Sequence, residues 1–121
     1  MRRAIDTEAN NLLNHETIDY LKAPYELKPT FKIWCLVSRD LDNPLIVHKY
    51  VGIAEITKFI EEELPQITTL VAHNGIDYDF LVLKLLFREK FNYVFSHIKG
   101  GLATLNGREI ELLDTLVISK A

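Results

Sequence analysis

The order of strand-like and helix-like segments is the feature that most constrains how this chain of 121 residues can fold. Runs of β-branched and aromatic residues, separated by turn residues, predict strands, and apolar residues at spacings of three and four predict helices. In chain order these segments are a strand at 2–6, hairpin strands at 31–39 and 45–50, a helix at 53–64, a strand at 68–72, a helix at 77–89, a strand at 109–114 and a helix beginning near residue 115. This order predicts an α/β fold with helices packed on a mixed sheet.

The two middle helices have different hydrophobic patterns. The first has one apolar face opposite a run of glutamates, and Pro65 ends the pattern; its apolar positions are Ile53, Ile56, Phe59, Ile60 and Leu64. The helix at 77–89 is apolar around most of its circumference, which predicts a central, buried position. Residues 8–13 are expected to begin a loop or helical turn, and residues 91–106 to form a mobile or hairpin-like excursion.

Length and charge exclude several classes of protein. At 14.0 kDa the chain forms one domain, residues 1–121, which is too short for a polymerase or a kinase. Its net charge of −3 offers no basic surface for gripping duplex DNA. Contact with nucleic acid would instead depend on bound divalent cations, which carry the positive charge themselves.

The cellular setting follows from cysteine content and hydropathy. A single cysteine, Cys35, lies in an apolar run, so we expect a buried thiol and no internal disulfide, as in a reducing compartment. No segment resembles a signal peptide or a membrane span. We therefore expect no membrane partner and a cytoplasmic location, the host cytoplasm if a phage encodes the chain.

Three acidic residues follow predicted strands. Asp6 and Glu8 are separated by one residue and would project from one face of a strand, while Asp79 follows the strand at 68–72. Carboxylates without thiols or paired histidines suit hard cations such as Mg²⁺ and Mn²⁺. A second interpretation stays open, because acids at strand ends and in first helical turns are commonly solvated caps.

Neighbouring polar residues favour structural roles. Asp77 is expected to cap the helix that follows it, which leaves Asp79 as the better metal-ligand candidate. Asn74 and the glycine after it form a common tight-turn pair. His73 is either a partly buried structural histidine or a functional one. Asp114 is expected to act as the N-cap of the last helix rather than as a metal ligand.

Together these segments resemble the DEDD 3′-to-5′ exonucleases, which have an RNase H-like fold, and most closely the N-terminal proofreading domains of family A DNA polymerases from short-tailed phages. Residues 4–13 carry the likeness to the first exonuclease motif, residues 70–79 to the second, and residues 113–120 to the strand-to-helix step that follows. The resemblance implies removal of nucleoside 5′-monophosphates from single-stranded or frayed DNA 3′ ends.

The family's functional residues can be assigned to matching positions. The resemblance implies that Asp6, Glu8 and Asp79 are catalytic ligands of a two-metal Mg²⁺ or Mn²⁺ site, with Asp6 bridging the ions. It further implies that Leu12 wedges against the terminal base. Thr7 would contact the 3′ end, and Asn74 would be the asparagine of the second motif.

The chain departs from the family at the third motif, a late aspartate preceded by a tyrosine or histidine. After Asp79 the sequence has one further aspartate, Asp114, and residues 109–113 before it contain neither residue type. We therefore expect a fold whose C-terminal part is missing, either because the chain is a fragment or because the rest lies on another polypeptide. A polymerase domain or a second chain would then complete the fold. The alternative is an inactive fragment, or an interaction module that keeps the exonuclease fold. A third interpretation is an endonuclease or another transferase on the same fold.

Overall fold

The computed structural model describes residues 1–11, 13–14, 16–23, 25–73, 78–87, 97–99, 102–105 and 108–115, with 97–99 and 102–105 given by their backbone alone. Its elements are β1 (Arg2–Ala9), β2 (Ile18–Asp19), β3 (Glu26–Leu27), β4 (Ile33–Asp40), β5 (Val47–Val51), α1 (Gly52–Glu62), a 3₁₀ helix (Leu64–Gln66), β6 (Thr69–Ala72), α2 (Asp79–Phe87), β7 (His97–Lys99), β8 (Leu102–Leu105) and β9 (Arg108–Asp114).

Seven of these strands form one mixed sheet in the order β5-β4-β1-β6-β9-β8-β7, and β2 pairs with β3 separately. Strand β1 runs parallel to β6, and β6 runs parallel to β9. Strand β4 is antiparallel to both of its neighbours, and β8 is antiparallel to β7 and β9. The predicted α/β fold with a mixed sheet is confirmed, and the arrangement is compatible with an RNase H-like fold.

Pairing between strands that are distant in sequence determines where several of the strands begin and end. The prediction that residue 8 begins a loop or helical turn is wrong, because β1 continues to Ala9, which lies opposite Ile33 of β4. The predicted hairpin is confirmed as β4 and β5. The hairpin expected within 91–106 is present as β7 and β8, although 91–96, 100–101 and 106 lie outside the described residues.

Helix α1 forms where the spacing of apolar residues predicts it. Its inward face buries Ile56, Phe59 and Ile60, whereas Ile53 in the first turn remains 51% exposed. The backbone enters the helix through Gly52 at a φ of +81°, a conformation that other residues adopt only with strain. Pro65 follows the helix and lies in the 3₁₀ turn.

Helix α2 is buried on one face, and the remaining side chains of the helix are half-buried. Its buried side chains pack with α1 and with the inward side chains of β1, β4, β6 and β9 in one hydrophobic core. The α2 residues in this core are Phe80, Val82, Leu83 and Phe87. No helix in the described parts of the chain is long and apolar enough to cross a membrane.

Candidate carboxylate site

The alternation of β1 places two acids on one face and a threonine on the other. Asp6 and Glu8 are exposed, whereas Thr7 between them is buried. Glu8 lies opposite Cys35 of β4, with 4.0 Å between Oε2 and the thiol sulfur. Cys35 is buried, as its apolar surroundings predict. This strand therefore presents a pair of carboxylates to solvent and anchors itself through the residue between them.

The acids lie beyond the point at which the neighbouring strand ends. Pairing of β1 with β6 is present through Ala4 opposite Val71, and β6 ends at Ala72 while β1 continues. Helix α2 begins in this space, and its first residue is Asp79. Crevices beyond the carboxyl ends of parallel strands are the usual ligand sites of open α/β sheets.

Two short hydrogen bonds join Asp79 to β1. The Thr7 backbone N–H and the Thr7 hydroxyl both donate to Asp79 Oδ1, at 2.8 and 2.6 Å. The two residues are separated by 72 positions in the chain. The contact therefore fixes the start of α2 against the middle of the Asp6-Thr7-Glu8 segment.

Burial and hydrogen bonding have opposite effects on the pKa of the Asp79 carboxylate. Asp79 is 3% exposed, and burial raises its pKa, while the two donors from Thr7 oppose the rise. The negative charge of Asp6 raises the pKa of Asp79 further, so the two carboxylates are close enough to repel. A cation between them would relieve this repulsion, because positive charge favours the ionised forms.

A groove runs alongside Glu8. Its volume is about 340 Å³, and the residues that line it are Glu8, Ala9, Asn10, Asn11, Trp34 and Tyr78. The Tyr78 hydroxyl donates to the backbone carbonyl of Asn11 at 3.2 Å. Burial, followed by the charges of Asp79 and Asp6, raises the pKa of Tyr78 above its ordinary value, so the phenol is neutral at physiological pH.

Two of these groove residues were not among the candidates from sequence. Tyr78 immediately precedes Asp79, and its place next to a proposed ligand is the one feature of the sequence that could have indicated it. Trp34 lies in a strand, where a tryptophan is ordinarily a core residue, and its exposure depends on the pairing of β4 with β1.

The remaining candidates have different outcomes. Leu12, Asn74 and Asp77 lie outside the described residues, so their roles stay predictions. Contact between Thr7 and a substrate also stays a prediction; the structure shows its two donors bound to Asp79.

The ends of β6 and β9 lie side by side. Asp114 is buried and pairs with Ala72 in the parallel register. His73 is exposed rather than partly buried, and its Nδ1 forms a 2.9 Å hydrogen bond with the Thr115 hydroxyl. The helix expected to begin near residue 115 lies beyond the described range, so the capping role of Asp114 stays a prediction.

The three proposed ligands do not form a compact group. Within the described residues, no three His, Cys, Asp or Glu side chains are grouped so that they could hold a metal ion. Asp6 and Glu8 share the exposed face, and Asp79 contacts β1 through buried Thr7. Metal binding by these carboxylates stays a prediction.

Comparison with known proteins gives likenesses in structure and none in sequence. No family model matches the sequence, and no curated protein matches it. A solved structure of phi29 DNA polymerase complexed with primer-template DNA aligns with 95% of this chain at a TM-score of 0.49 and 10% sequence identity. The alignment covers 21% of that polymerase chain, so this chain spans about a fifth of its length. The likeness is a weak one, to one part of a DNA polymerase.

Proposed function

We propose that this chain is a divalent-metal-dependent 3′-to-5′ exonuclease domain of the proofreading type, acting on single-stranded or frayed DNA ends. The observation that carries the proposal is the pair of hydrogen bonds from Thr7 to Asp79. They bring a buried carboxylate of α2 to the strand segment that exposes Asp6 and Glu8.

The chemistry of the donor set supports Mg²⁺ or Mn²⁺. Carboxylate oxygens are the ligands that these cations prefer. Asp79, Asp6 and Glu8 would hold the cation, and the two hydrogen bonds from Thr7 would fix the orientation of the Asp79 carboxylate. The pKa of Asp79 is raised, which makes its ionised form costly without a nearby positive charge and gives a bound cation a clear electrostatic role.

Two exposed carboxylates and the groove beside them would receive the substrate. Bound divalent cations would supply an activated water and stabilise the departing 3′ oxygen. Asp6 and Glu8 face solvent, where a phosphodiester can approach them, and the groove beside Glu8 can take a nucleotide. Single-stranded ends are favoured, because a terminal nucleotide must leave the duplex before it can enter such a groove.

A second candidate is a non-catalytic module that keeps the nuclease fold. The absence of a compact group of three ligands among the described residues favours it. Under the exonuclease proposal, either three carboxylates suffice or a second copy of this chain supplies the fourth.

The test is digestion of a 5′-labelled single-stranded DNA in Mg²⁺ and in Mn²⁺. The exonuclease proposal expects a ladder of products shortened from the 3′ end, lost in Asp6→Asn and kept in Glu62→Gln, an exposed acid on α1. A circular single strand should resist, because it has no end. Absence of the ladder in both metals, or an equal ladder from Asp6→Asn, would reject the proposal.

Cation binding is measured separately by thermal unfolding. A cation that binds only the folded chain at 100 times its dissociation constant adds about 2.7 kcal/mol of stability. We expect Mn²⁺ to raise the melting temperature of the unsubstituted chain and not that of Asp6→Asn. Stabilisation by Mn²⁺ without a ladder would favour the non-catalytic module.

A further inference from the structure

We infer that Trp34 is a stacking platform for one base of a single-stranded nucleic acid whose backbone passes Glu8. The inference rests on the proposed function for its substrate, and it concerns a residue outside the segments 4–13 and 70–79 that resemble exonuclease motifs. Its basis is the local geometry of β4, the groove beside Glu8 and the charge of that groove.

A β-bulge determines where Trp34 points. Glu8 lies opposite Cys35 and Ala9 lies opposite Ile33, so β4 advances two residues while β1 advances one. Trp34 is the additional residue. Bulges of this kind bend a strand and redirect a side chain, and they are common beside active sites.

The redirected side chain is exposed between buried neighbours. Trp34 is 57% exposed, whereas Ile33 and Cys35 on either side are buried. A tryptophan ring is large and mainly apolar, so its exposure forgoes the stabilisation that burial in the core would provide. A flat aromatic ligand that covers the indole would recover part of that stabilisation.

The groove around Trp34 is held in shape by hydrogen bonds. Asn10 is fixed to the chain segment before β4: its backbone N–H and side-chain oxygen bond to the Lys32 backbone, and its side-chain amide donates to the Thr30 carbonyl. Tyr78 is held by its hydroxyl bond to Asn11. A groove that is already ordered loses little entropy when it binds a ligand.

The charge of the groove favours a base over a phosphate. Among the described residues that line it, Glu8 carries the one formal charge, and that charge is negative. A phosphate without a cation would be repelled there, whereas a neutral base can stack on the indole. Base–aromatic stacking tolerates any sequence, since every base has a π-face.

Trp34 is the single tryptophan of the chain, so its fluorescence reports directly on this contact. The experiment titrates short single-stranded DNA in Ca²⁺ and compares it with an abasic strand of the same length and phosphate charge. Stacking predicts quenching by the strand that carries bases and little or none by the abasic strand. Equal quenching by both strands would overturn the inference, because it would show contact with the backbone alone.

Variants test the size of the effect through the anisotropy of a labelled strand. Trp34→Ala should weaken binding by about 5-fold to about 150-fold, the range that corresponds to one stacked base. Trp34→Phe should keep most of the affinity, since it retains an aromatic face. Tyr25→Ala is the matched control, because Tyr25 is 54% exposed and lies outside the groove; its binding should not change.

Failure of this inference can be distinguished from failure of the proposed function. If the unsubstituted chain digests DNA and Trp34→Ala has the same KM, the stacking site is refuted and the nuclease remains. If base-dependent quenching occurs without digestion, the stacking site remains and the nuclease is refuted. If the unsubstituted chain shows neither binding nor digestion, both are refuted.

Discussion

Replacement of Thr7 by valine isolates the hydrogen bond that joins the two halves of the candidate site. Valine has nearly the shape of threonine and also suits a strand, so Thr7→Val removes the hydroxyl donor and keeps the backbone N–H donor to Asp79. Thr7→Ser is the matched control, because it keeps the hydroxyl and removes only a methyl group.

The expected cost depends on the charge of Asp79. A hydrogen bond to a charged group contributes about 1.5–3 kcal/mol, and one between neutral groups contributes about 0.5–1.5 kcal/mol. Asp79 is almost fully buried, so water cannot replace the missing donor. Thr7→Val should therefore lower the free energy of unfolding by about 1.5–3 kcal/mol where Asp79 is ionised, and by about 1 kcal/mol less where it is protonated.

The direction of the pH dependence follows from the raised pKa of Asp79. A carboxyl group whose pKa is higher in the folded chain stabilises the fold below its unfolded pKa, and that stability is lost as pH rises through the folded pKa. Thr7→Val removes a donor that lowers this pKa, so the loss on going from acid to neutral pH becomes larger.

The assay is urea unfolding at about pH 4, close to the ordinary pKa of an aspartate, and at about pH 7, well above it. The effect of Thr7→Val should be larger at the higher pH, and Thr7→Ser should remain closer to the unsubstituted chain. An effect of Thr7→Val that is equal at both pH values, or an equal effect of Thr7→Ser, would refute the reasoning.

Three further substitutions test the fold through urea unfolding. Ile56→Ala should lower the free energy of unfolding by about 2–5 kcal/mol, because it leaves a cavity at a fully buried position. Ile53→Ala in the same helix should change it by less than about 0.5 kcal/mol. Similar effects of the two variants would contradict the burial pattern. Gly52→Ala should cost about 1–2 kcal/mol through backbone strain at φ +81°, since a Cβ there meets open space, and Gly52→Asn should cost less. Glu63→Ala should cost about 1.5–3 kcal/mol, because Glu63 accepts a bond from a tyrosine hydroxyl and lies near a buried arginine, whereas exposed Glu62→Ala should be nearly neutral. Equal effects of the two glutamate variants would show that this network does not stabilise the fold.

Sequence patterns predicted the helices and strands that depend mainly on residues close together in the chain. The spacing of apolar residues located α1 to within two residues at each end, and turn residues located the hairpin of β4 and β5. The extension of β1 to Ala9 depends on pairing with β4, a partner more than twenty residues away. The hydrogen bonds of this pairing override the loop chemistry of residues 8 and 9.

Long-range contacts determine the parts of the site that the sequence did not predict. The alternation of a strand predicts that Asp6 and Glu8 share a face, but it does not indicate that Thr7 contacts a helix 72 residues later. The exposure of Trp34 likewise depends on a bulge that exists only in the paired strands. The alternation of a strand determines which side chains share a face of the sheet. Which distant residues those side chains contact is determined by the fold.

Replacement of Asp79 by asparagine tests the proposed ligand role of this residue. An asparagine at that position could accept both hydrogen bonds from Thr7 without placing a charge in a buried setting next to Asp6. Asp79→Asn should therefore unfold at an equal or higher urea concentration than the unsubstituted chain at neutral pH, and its stability should depend less on pH. If the fold alone required this residue, the amide would be the better choice. A carboxylate that costs stability, and that a cation would stabilise, is what a metal ligand requires; a clear loss of stability in Asp79→Asn would show instead that the charge serves the fold.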